Sequence, residues 1–363
     1  MVRFGIIGCG IMGKGHANSI LDGKVSGAEL TAVCDTDPAA LEWAKEKCPG
    51  IKTFDNTAAI FDSGVIDAIV IATPHYDHPV IAVEALDKHI HVMVEKPAGV
   101  FTKSVREMNA KAAESDVVFA IMYNQRTSPI FRKMREMVQG GELGALKRTS
   151  WLITDWYRPQ AYYNAGGWRA TWKGEGGGVL INQCPHNLDL WQWICGMPKR
   201  VTAFAHNGKW HNIEVEDDVT AYVEYENGAT GVFITSTADC PGNNRFEVLG
   251  DLGKIIFEND QLLHYKLETP EREFNRVNKE MFAAPAVEKL VIDCPGEYTQ
   301  HPGVLAAFVE KINGKGELYA KGEEGINGLT ISNAIHLSAW LGKTVELPLD
   351  EELFLAELKK RWK

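Results

Sequence analysis

Paired cysteines are what this sequence most plainly lacks. Its seven cysteines are odd in number, run from Cys9 to Cys294 and include no CxxC pair. That argues against a disulfide framework or a structural zinc cluster and suits free thiols in the cytoplasm. No stretch is long and apolar enough to span a bilayer. The opening MVRFGIIGCG runs straight into glycines, without the apolar stretch and small-residue cleavage site of a secretion signal. A basic stripe is missing too, and the formal net charge of −10 argues against nucleic acids and anionic membranes as partners. There is no internal repeat and no low-complexity tract.

With 363 residues, 45% hydrophobic and 24% charged, the chain is long enough for two cores. The first third alternates short apolar runs, at 2–7, 29–34, 67–73, 89–95 and 117–123, with helix-like segments at 38–47 and 79–88. Continuously apolar strands separated by helices predict a parallel sheet buried on both faces. From about residue 145 the strands lengthen and alternate, at 147–155, 200–206, 218–226, 229–237 and 245–258, which predicts a mostly antiparallel sheet. Helices are expected near 303–314 and 325–341; the charged, proline-bearing segment 266–300 carries no assignable pattern. The expected fold class is α/β: a parallel-sheet domain over 1–123 and an α/β domain over 124–363.

The glycines come in an informative order. Gly8, Gly10 and Gly13 stand in GxGxxG spacing after the first strand and before a helix. Gly8 permits a tight turn, Gly10 lets a pyrophosphate approach the backbone and Gly13 permits close helix packing, with the phosphates at the helix N-terminus. Asp35 ends the second strand 22 residues after Gly13, where a carboxylate accepts hydrogen bonds from the adenosine ribose. No arginine follows it to neutralise a 2′-phosphate, so NAD is expected rather than NADP.

The strand HIHVMVEKPAG, 89–99, ends in Glu95, Lys96 and Pro97. Ligands of doubly wound sheets bind beyond the carboxyl ends of the strands, and proline keeps the residue before it extended. Oxidation of an alcohol requires a group that accepts the hydroxyl proton or stabilises the alkoxide; a lysine beside positive charge can do so. A Glu–Lys pair merely closing a strand is the alternative.

In EGGGVLINQCPHNLDLWQWICG, 175–196, Asn182, His186 and Asp189 fall on one face of a helix next to an apolar stripe of Ile181, Leu188, Trp191 and Cys195. Pro185 predicts a kink or a late helix start. His186 suits proton exchange with a substrate hydroxyl.

Together the GxGxxG turn, ATPHYDHP (72–79), VEKPAG (94–99), YNQR (123–126), GGGVLINQCPHNLD (176–189), GDLGKI (250–255) and the late ISNAIHLSAWLGKTVELP resemble the glucose–fructose oxidoreductase and inositol dehydrogenase family, Gfo/Idh/MocA. The resemblance spans essentially the whole chain. It implies a Rossmann domain and a second domain whose open sheet face mediates homo-oligomerisation. It implies Lys96 as the catalytic or substrate-orienting lysine and His186 as the proton-exchanging histidine. Many members have aspartate where this chain has Asn182, which can orient a hydroxyl but cannot take a proton. The implied cofactor contacts are Gly8, Gly10, Ile11, Met12, Gly13, Asp35, Thr73, Pro74, His75, His78, Glu95, Lys96 and Asn124. A zinc site on His75 and His78 is the weaker reading, since no third ligand accompanies the pair.

Between 151 and 178 crowd Trp156, Tyr157, Arg158, Tyr162, Tyr163, Trp168, Arg169 and Trp172. Aromatic faces stack on the apolar face of a pyranose while polar groups bond its hydroxyls. Tyr163, Trp168 and Arg169 are the expected substrate contacts, with Lys96, Asn182 and His186. The run resembles members that act on intact sugars and glycosides, including levoglucosan and glycoside 3-dehydrogenases. The expected activity is NAD-dependent, reversible oxidation of a hydroxyl of a cyclic sugar, glycoside or inositol. Two rivals are a retained-NAD enzyme that cleaves a glycoside by oxidation and elimination, and a non-enzymatic sugar or nucleotide sensor.

Overall fold

The structure, a computed structural model, describes residues 1–362. The chain forms two compact units, Met1–Thr127 with Thr299–Leu329, and Ser128–Tyr298 with the chain from Thr330 on.

The first unit alternates strand and helix: β1 (Val2–Ile7), α1 (Ile11–Leu21), β2 (Ala28–Cys34), α2 (Pro38–Lys47), β3 (Lys52–Phe54), α3 (Thr57–Phe61), β4 (Ala68–Ile71), α4 (Asp77–Asp87), β5 (His91–Val94), α5 (Thr102–Ala113) and β6 (Phe119–Ile121). The strands lie in the order β3-β2-β1-β4-β5-β6, all parallel. This is the order of a doubly wound dinucleotide-binding sheet, and it puts the carboxyl ends of β1, β4, β5 and β6 along one edge. All four residues of β4 are buried, as a strand covered on both faces requires. Local signals set the helices: Asp37 caps α2 through the Ala39 N–H, with Pro38 at the first helical position, where its missing N–H costs nothing.

The second unit contains α6 (Pro129–Gln139), β7 (Leu146–Ile153), α7 (Gln160–Asn164), α8 (Pro185–Cys195), β8 (Arg200–Asn207), β9 (Glu216–Glu224), β10 (Thr230–Ser236), β11 (Asn244–Gly250), β12 (Gly253–Glu258), β13 (Gln261–Leu267), α9 (Glu271–Val277), β14 (Val287–Ile292) and β15 (Val345–Glu346). Its nine strands run β14-β13-β12-β11-β7-β10-β9-β8-β15, antiparallel apart from the β7–β10 pair. Alternation sorts the faces. Val219, Ala221 and Val223 of β9 are buried, while Tyr222 of β9 and Phe204 of β8 stand on the open face. On the covered face Trp191 of α8 stacks on Phe233 at 5.4 Å and Trp151 on Phe246 at 4.3 Å. The expected single strand 245–258 is two, turned at Asp251 and Leu252, and the unassigned 266–300 supplies the end of β13, α9 and β14.

The remaining helices are α10 (Gln300–Ile312), α11 (Gly325–Leu341) and α12 (Glu351–Lys359). They change the expected division at residue 123. The stretch Thr299–Leu329 belongs to the first unit, because α10 drives Val304, Leu305, Phe308 and Val309 into the core that holds Phe4, Ile6 and Val70. Each such side chain contributes roughly 1.5–3 kcal/mol on burial. Residues 124–127 join it too: the Thr127 hydroxyl accepts the Gln300 N–H at 2.9 Å, and Arg126, fully buried, bonds Glu324 at 2.6 Å. An amphipathic helix announces that it has a core to cover, not which one.

Candidate active site

The sheet edge of the first unit gathers the residues expected to hold a dinucleotide. Gly8 follows β1 with φ +86°, and a Cβ there would meet the Ala72 and Thr73 backbone at 2.8 Å. A Cβ on Gly13 would lie 1.9 Å from the Gly8 carbonyl oxygen, whereas Gly10 has open space around it. Two glycines therefore serve packing and one leaves room for a ligand. Gly10 begins α1 without any side-chain cap, so the first amides of that helix suit phosphate oxygens. Ile11 is 83% exposed and Met12 39%, apolar cover beside the turn. Asp35 Oδ2 accepts the Cys9 N–H at 2.6 Å and Oδ1 the Asp37 N–H at 2.8 Å, leaving lone pairs for ribose hydroxyls.

Beyond β4 and β6, Thr73 Oγ1 and Asn124 Oδ1 are buried polar atoms with no hydrogen-bond partner, a costly state that a bound polar group would relieve. The turn, the acid and these two atoms fit a dinucleotide. Pro74 follows Thr73. His75 and His78 lie ring edge to ring at 6.0 Å, but His78 works as a clamp: its nitrogens meet the Pro97 carbonyl at 2.7 Å and the Thr73 carbonyl at 2.8 Å. Burial pulls its pKa down against those two carbonyls. Both nitrogens are thereby engaged, which removes the basis for a zinc reading of His75 and His78.

Behind the end of β5 lies a buried acid–imidazole group. His16 Nε2, on α1, is 2.6 Å from Glu95 Oε1, and Glu95 Oε2 accepts the Lys96 N–H at 3.1 Å. The His301 ring of α10 stands edge-on to His16 at 5.6 Å. Burial alone pushes the Glu95 carboxyl up; the His16 bond and charge, with Lys96 and His301, override it and bring it down to about 2. Burial also depresses the pKa of His301. The backbone of Lys96 is thus anchored on an ionised acid, and the bond from Lys96 to Pro97 is cis.

In the second unit Asn182 does not share a helix with His186. Helix α8 starts at Pro185, which cannot donate to a preceding turn; Asn182 sits in the turn before it, its N–H on the Gly178 carbonyl at 3.0 Å. That turn is pinned by Glu216, whose carboxylate accepts the Gly178 and Leu180 N–H groups at 2.9 and 3.0 Å. A Cβ on Gly178 would meet the Glu216 carbonyl oxygen at 2.0 Å. His186 occupies the first turn of α8, and Asp189, fully buried, accepts Gln192 at 3.1 Å.

The aromatic crowd divides. Trp172 is core, its indole on the Glu214 carbonyl at 2.9 Å. Tyr163, an expected substrate contact, is 8% exposed and gives its hydroxyl to Thr237 at 2.7 Å, with burial pushing its pKa to about 12. Its neighbour Tyr162 is only half-buried. The Tyr162 hydroxyl donates to Asn182 Oδ1 at 3.2 Å and accepts Arg169 Nη1 at 2.8 Å. Arg169 also lies over the rings of Tyr162 and Trp168 at 4.9 and 4.8 Å. Sequence reasoning gave no role to Tyr162, which bonds Asn182 and Arg169, to Glu175, which bonds Asn182, or to His16, which bonds Glu95 beside His301. Only the twin tyrosines of AYYN hinted at one of them.

Residues 2–123 match the family described as oxidoreductase family, NAD-binding Rossmann fold, and residues 131–256 match the GFO/IDH/MocA C-terminal domain. The chain belongs to the GFO/IDH/MocA oxidoreductases. Two matched domains in their expected order decide it, and the cofactor of this oxidoreductase is NAD. Among its relatives, the D-glucoside 3-dehydrogenase of Escherichia coli is 26% identical over 95% of this chain and 97% of its own length. The 1,5-anhydro-D-fructose reductase of Ensifer adhaerens is 24% identical over 96% and 99%. The WlbA dehydrogenase of Bordetella pertussis, solved with NADH and UDP-GlcNAcA, superposes with a TM-score of 0.80 at 27% identity, covering 96% of this GFO/IDH/MocA chain and 99% of its own. No helix among the described residues is long and apolar enough to cross a membrane.

Proposed function

We propose that the protein oxidises one hydroxyl of a cyclic sugar, glycoside or inositol to a ketone, reversibly, with NAD as the redox partner. The observation that carries this reading is the single sheet edge in the first unit. There the glycine turn after β1, Asp35 after β2, Thr73 after β4, Lys96 after β5 and Asn124 after β6 stand at the carboxyl ends of parallel strands. A dinucleotide laid along that edge with its ribose at Asp35 reaches a lysine at the end of β5.

NAD, when bound, supplies the hydride acceptor. Gly10 and the first turn of α1 would hold its pyrophosphate and Asp35 its ribose, with Thr73, His75, Glu95 and Asn124 as the contacts proposed for its far end. Lys96 takes or shares the hydroxyl proton, an alkoxide being stabilised by an adjacent ammonium. His186 exchanges that proton, and Asn182, Tyr162, Trp168 and Arg169 orient the ring. The glucoside and anhydrofructose enzymes among the relatives support a sugar as the class of substrate. The exposed Phe204 and Tyr222 on the open sheet face support a homo-oligomer assembled there, and seven unpaired thiols support the cytoplasm as its place.

The test is to follow nicotinamide absorbance while the purified protein and NAD meet a panel of inositols, glucosides and anhydrosugars. Lys96→Ala and His186→Gln run alongside. Turnover that depends on one compound and falls about 10²- to 10⁴-fold in the variants, with NAD binding intact, is expected. Failure of every compound with a nucleotide retained through purification points instead to the retained-NAD enzyme.

A further inference from the structure

Of the buried carboxylates in the second unit, Glu175 is the one bonded to a proposed sugar contact without a part in the roles above. Glu175 is 2% exposed, deep for an acid. Its Oε2 accepts the Ala170 N–H at 2.6 Å, and its Oε1 accepts the side-chain amide of Asn182. The bonding then runs outward. Asn182 Oδ1 accepts the Tyr162 hydroxyl at 3.2 Å and the Gln183 amide at 3.1 Å, and the Tyr162 oxygen accepts Arg169 at 2.8 Å.

Each of these bonds has a direction, and the acid sets it. A carboxylate can only accept, so it draws the NH₂ of Asn182 inward and turns the Asn182 oxygen towards Tyr162. The tyrosine proton must then point at Asn182, which leaves the tyrosine lone pairs for Arg169 at 2.8 Å and the Gln183 amide at 3.4 Å.

We propose that Glu175 is a positioning residue of the sugar site: its carboxylate orients the Asn182–Tyr162–Arg169 chain and supplies, one side chain removed, the negative charge that Asn182 cannot carry. This rests on the reading that Asn182, Tyr162 and Arg169 face the sugar.

The bonding pattern has a mirror arrangement that satisfies the same partners. In a protein carrying E175Q and N182D together, the introduced amide accepts the Ala170 N–H through its oxygen and donates through its nitrogen to the introduced carboxylate, whose other oxygen accepts Tyr162. Neither single change does this. E175Q sets amide against amide, so that Asn182 turns over and presents its NH₂ to the Gln183 amide, donor against donor. N182D sets two carboxylates together, which can then only share a proton. Burial raises the pKa of Glu175; the Ala170 and Asn182 donors and the Arg169 charge oppose it, and Glu216 adds to the rise. Tyr163 also lies within its field. The net direction is up, so protonation disrupts the chain above the ordinary carboxylate range.

The experiment measures kcat and KM from weakly acid to weakly alkaline pH for the full-length protein, both single variants and the double variant, with NAD binding and melting temperature as folding controls. E175Q is expected to lower kcat/KM about 10- to 100-fold, as loss of a charge-assisted bond does, and to lose the acid limb. N182D is expected to fall as far and to recover as pH drops. The double variant is expected to return to within about fivefold of the parent, a large coupling between contacting residues. A kcat/KM and acid limb unchanged within about twofold in E175Q overturn the proposal, as does a folded, NAD-binding double variant no better than the singles. If E175Q does not fold, Tyr162→Phe decides, because it breaks the chain at its outer end; an unchanged KM overturns the proposal. A parent protein that oxidises no sugar removes the underlying reading and the proposal with it. Turnover by the parent with unresponsive variants removes the proposal alone.

Discussion

His16 Nε2 stands 2.6 Å from Glu95 Oε1, with the two side chains 1% and 4% exposed. That pair fastens the helix of the glycine turn to the strand end that carries Lys96. It also makes stability depend on pH. The folded-state pKa of Glu95 is depressed, from 4.5 to about 2, so its stabilisation is fully present above the ordinary carboxylate value and is lost as pH falls towards the folded one. A shift of that size corresponds to about 3 kcal/mol. The urea midpoint should therefore fall steeply on acidification below the ordinary carboxylate value, and Glu95→Gln should flatten that slope. A slope equally steep in the variant would assign it to other acids.

The glycines of the turn predict opposite phenotypes. Gly10→Ala meets open space, so it should leave the melting temperature unchanged while weakening NAD binding about tenfold or more, since the methyl group takes the place of the pyrophosphate. Gly13→Ala drives a methyl group onto the Gly8 carbonyl and should cost about 1–3 kcal/mol of stability. Calorimetry and NAD titration on the two variants separate packing from binding.

Asp35 carries two roles at once, holding the Cys9 N–H at 2.6 Å and offering its remaining lone pairs to the ribose. Asp35→Asn keeps an oxygen for the turn but loses the charge. The expected outcome is a drop of about tenfold in NAD affinity and a narrower preference over NADP, because an anionic residue repels the 2′-phosphate. Competitive titration with both nucleotides checks it.

How far the sequence could be read depended on whether a signal was local. Five of the six strands of the first sheet, the GxGxxG turn and the strand end at Lys96 rest on neighbours in sequence and appear where periodicity and glycine spacing put them; β3, only three residues long, carries too short a pattern to read. Pro185 likewise announced the start of α8. What escaped were partners distant along the chain. Thr299–Leu329 returns to the first core through Phe308, 6.1 Å from Phe4, and His301 joins His16 by the same route. Glu175 and Asn182 are seven residues apart, a spacing that pairs residues only within one continuous helix, and the positive φ of Gly176 breaks the chain between them. The choice between Tyr162 and Tyr163 depended on which face of a short helix is buried, and five residues of α7 carry too little periodicity to say.

Those two tyrosines give the sharpest contrast. Tyr163 spends its hydroxyl on Thr237 inside the second unit, so Tyr163→Phe should remove about 1 kcal/mol of stability and leave the sugar KM alone. Tyr162 lies between Asn182 and Arg169, half-buried. Tyr162→Phe deprives Arg169 of its acceptor and Asn182 of a donor, so the sugar KM should rise about tenfold, the cost of a bond to a charged group. Its melting temperature should move little, because the outer end of the chain is open to water. Steady-state kinetics beside thermal melts decide the matter. A KM that rises with Tyr163→Phe and not with Tyr162→Phe would return Tyr163 to the role that the sequence first suggested.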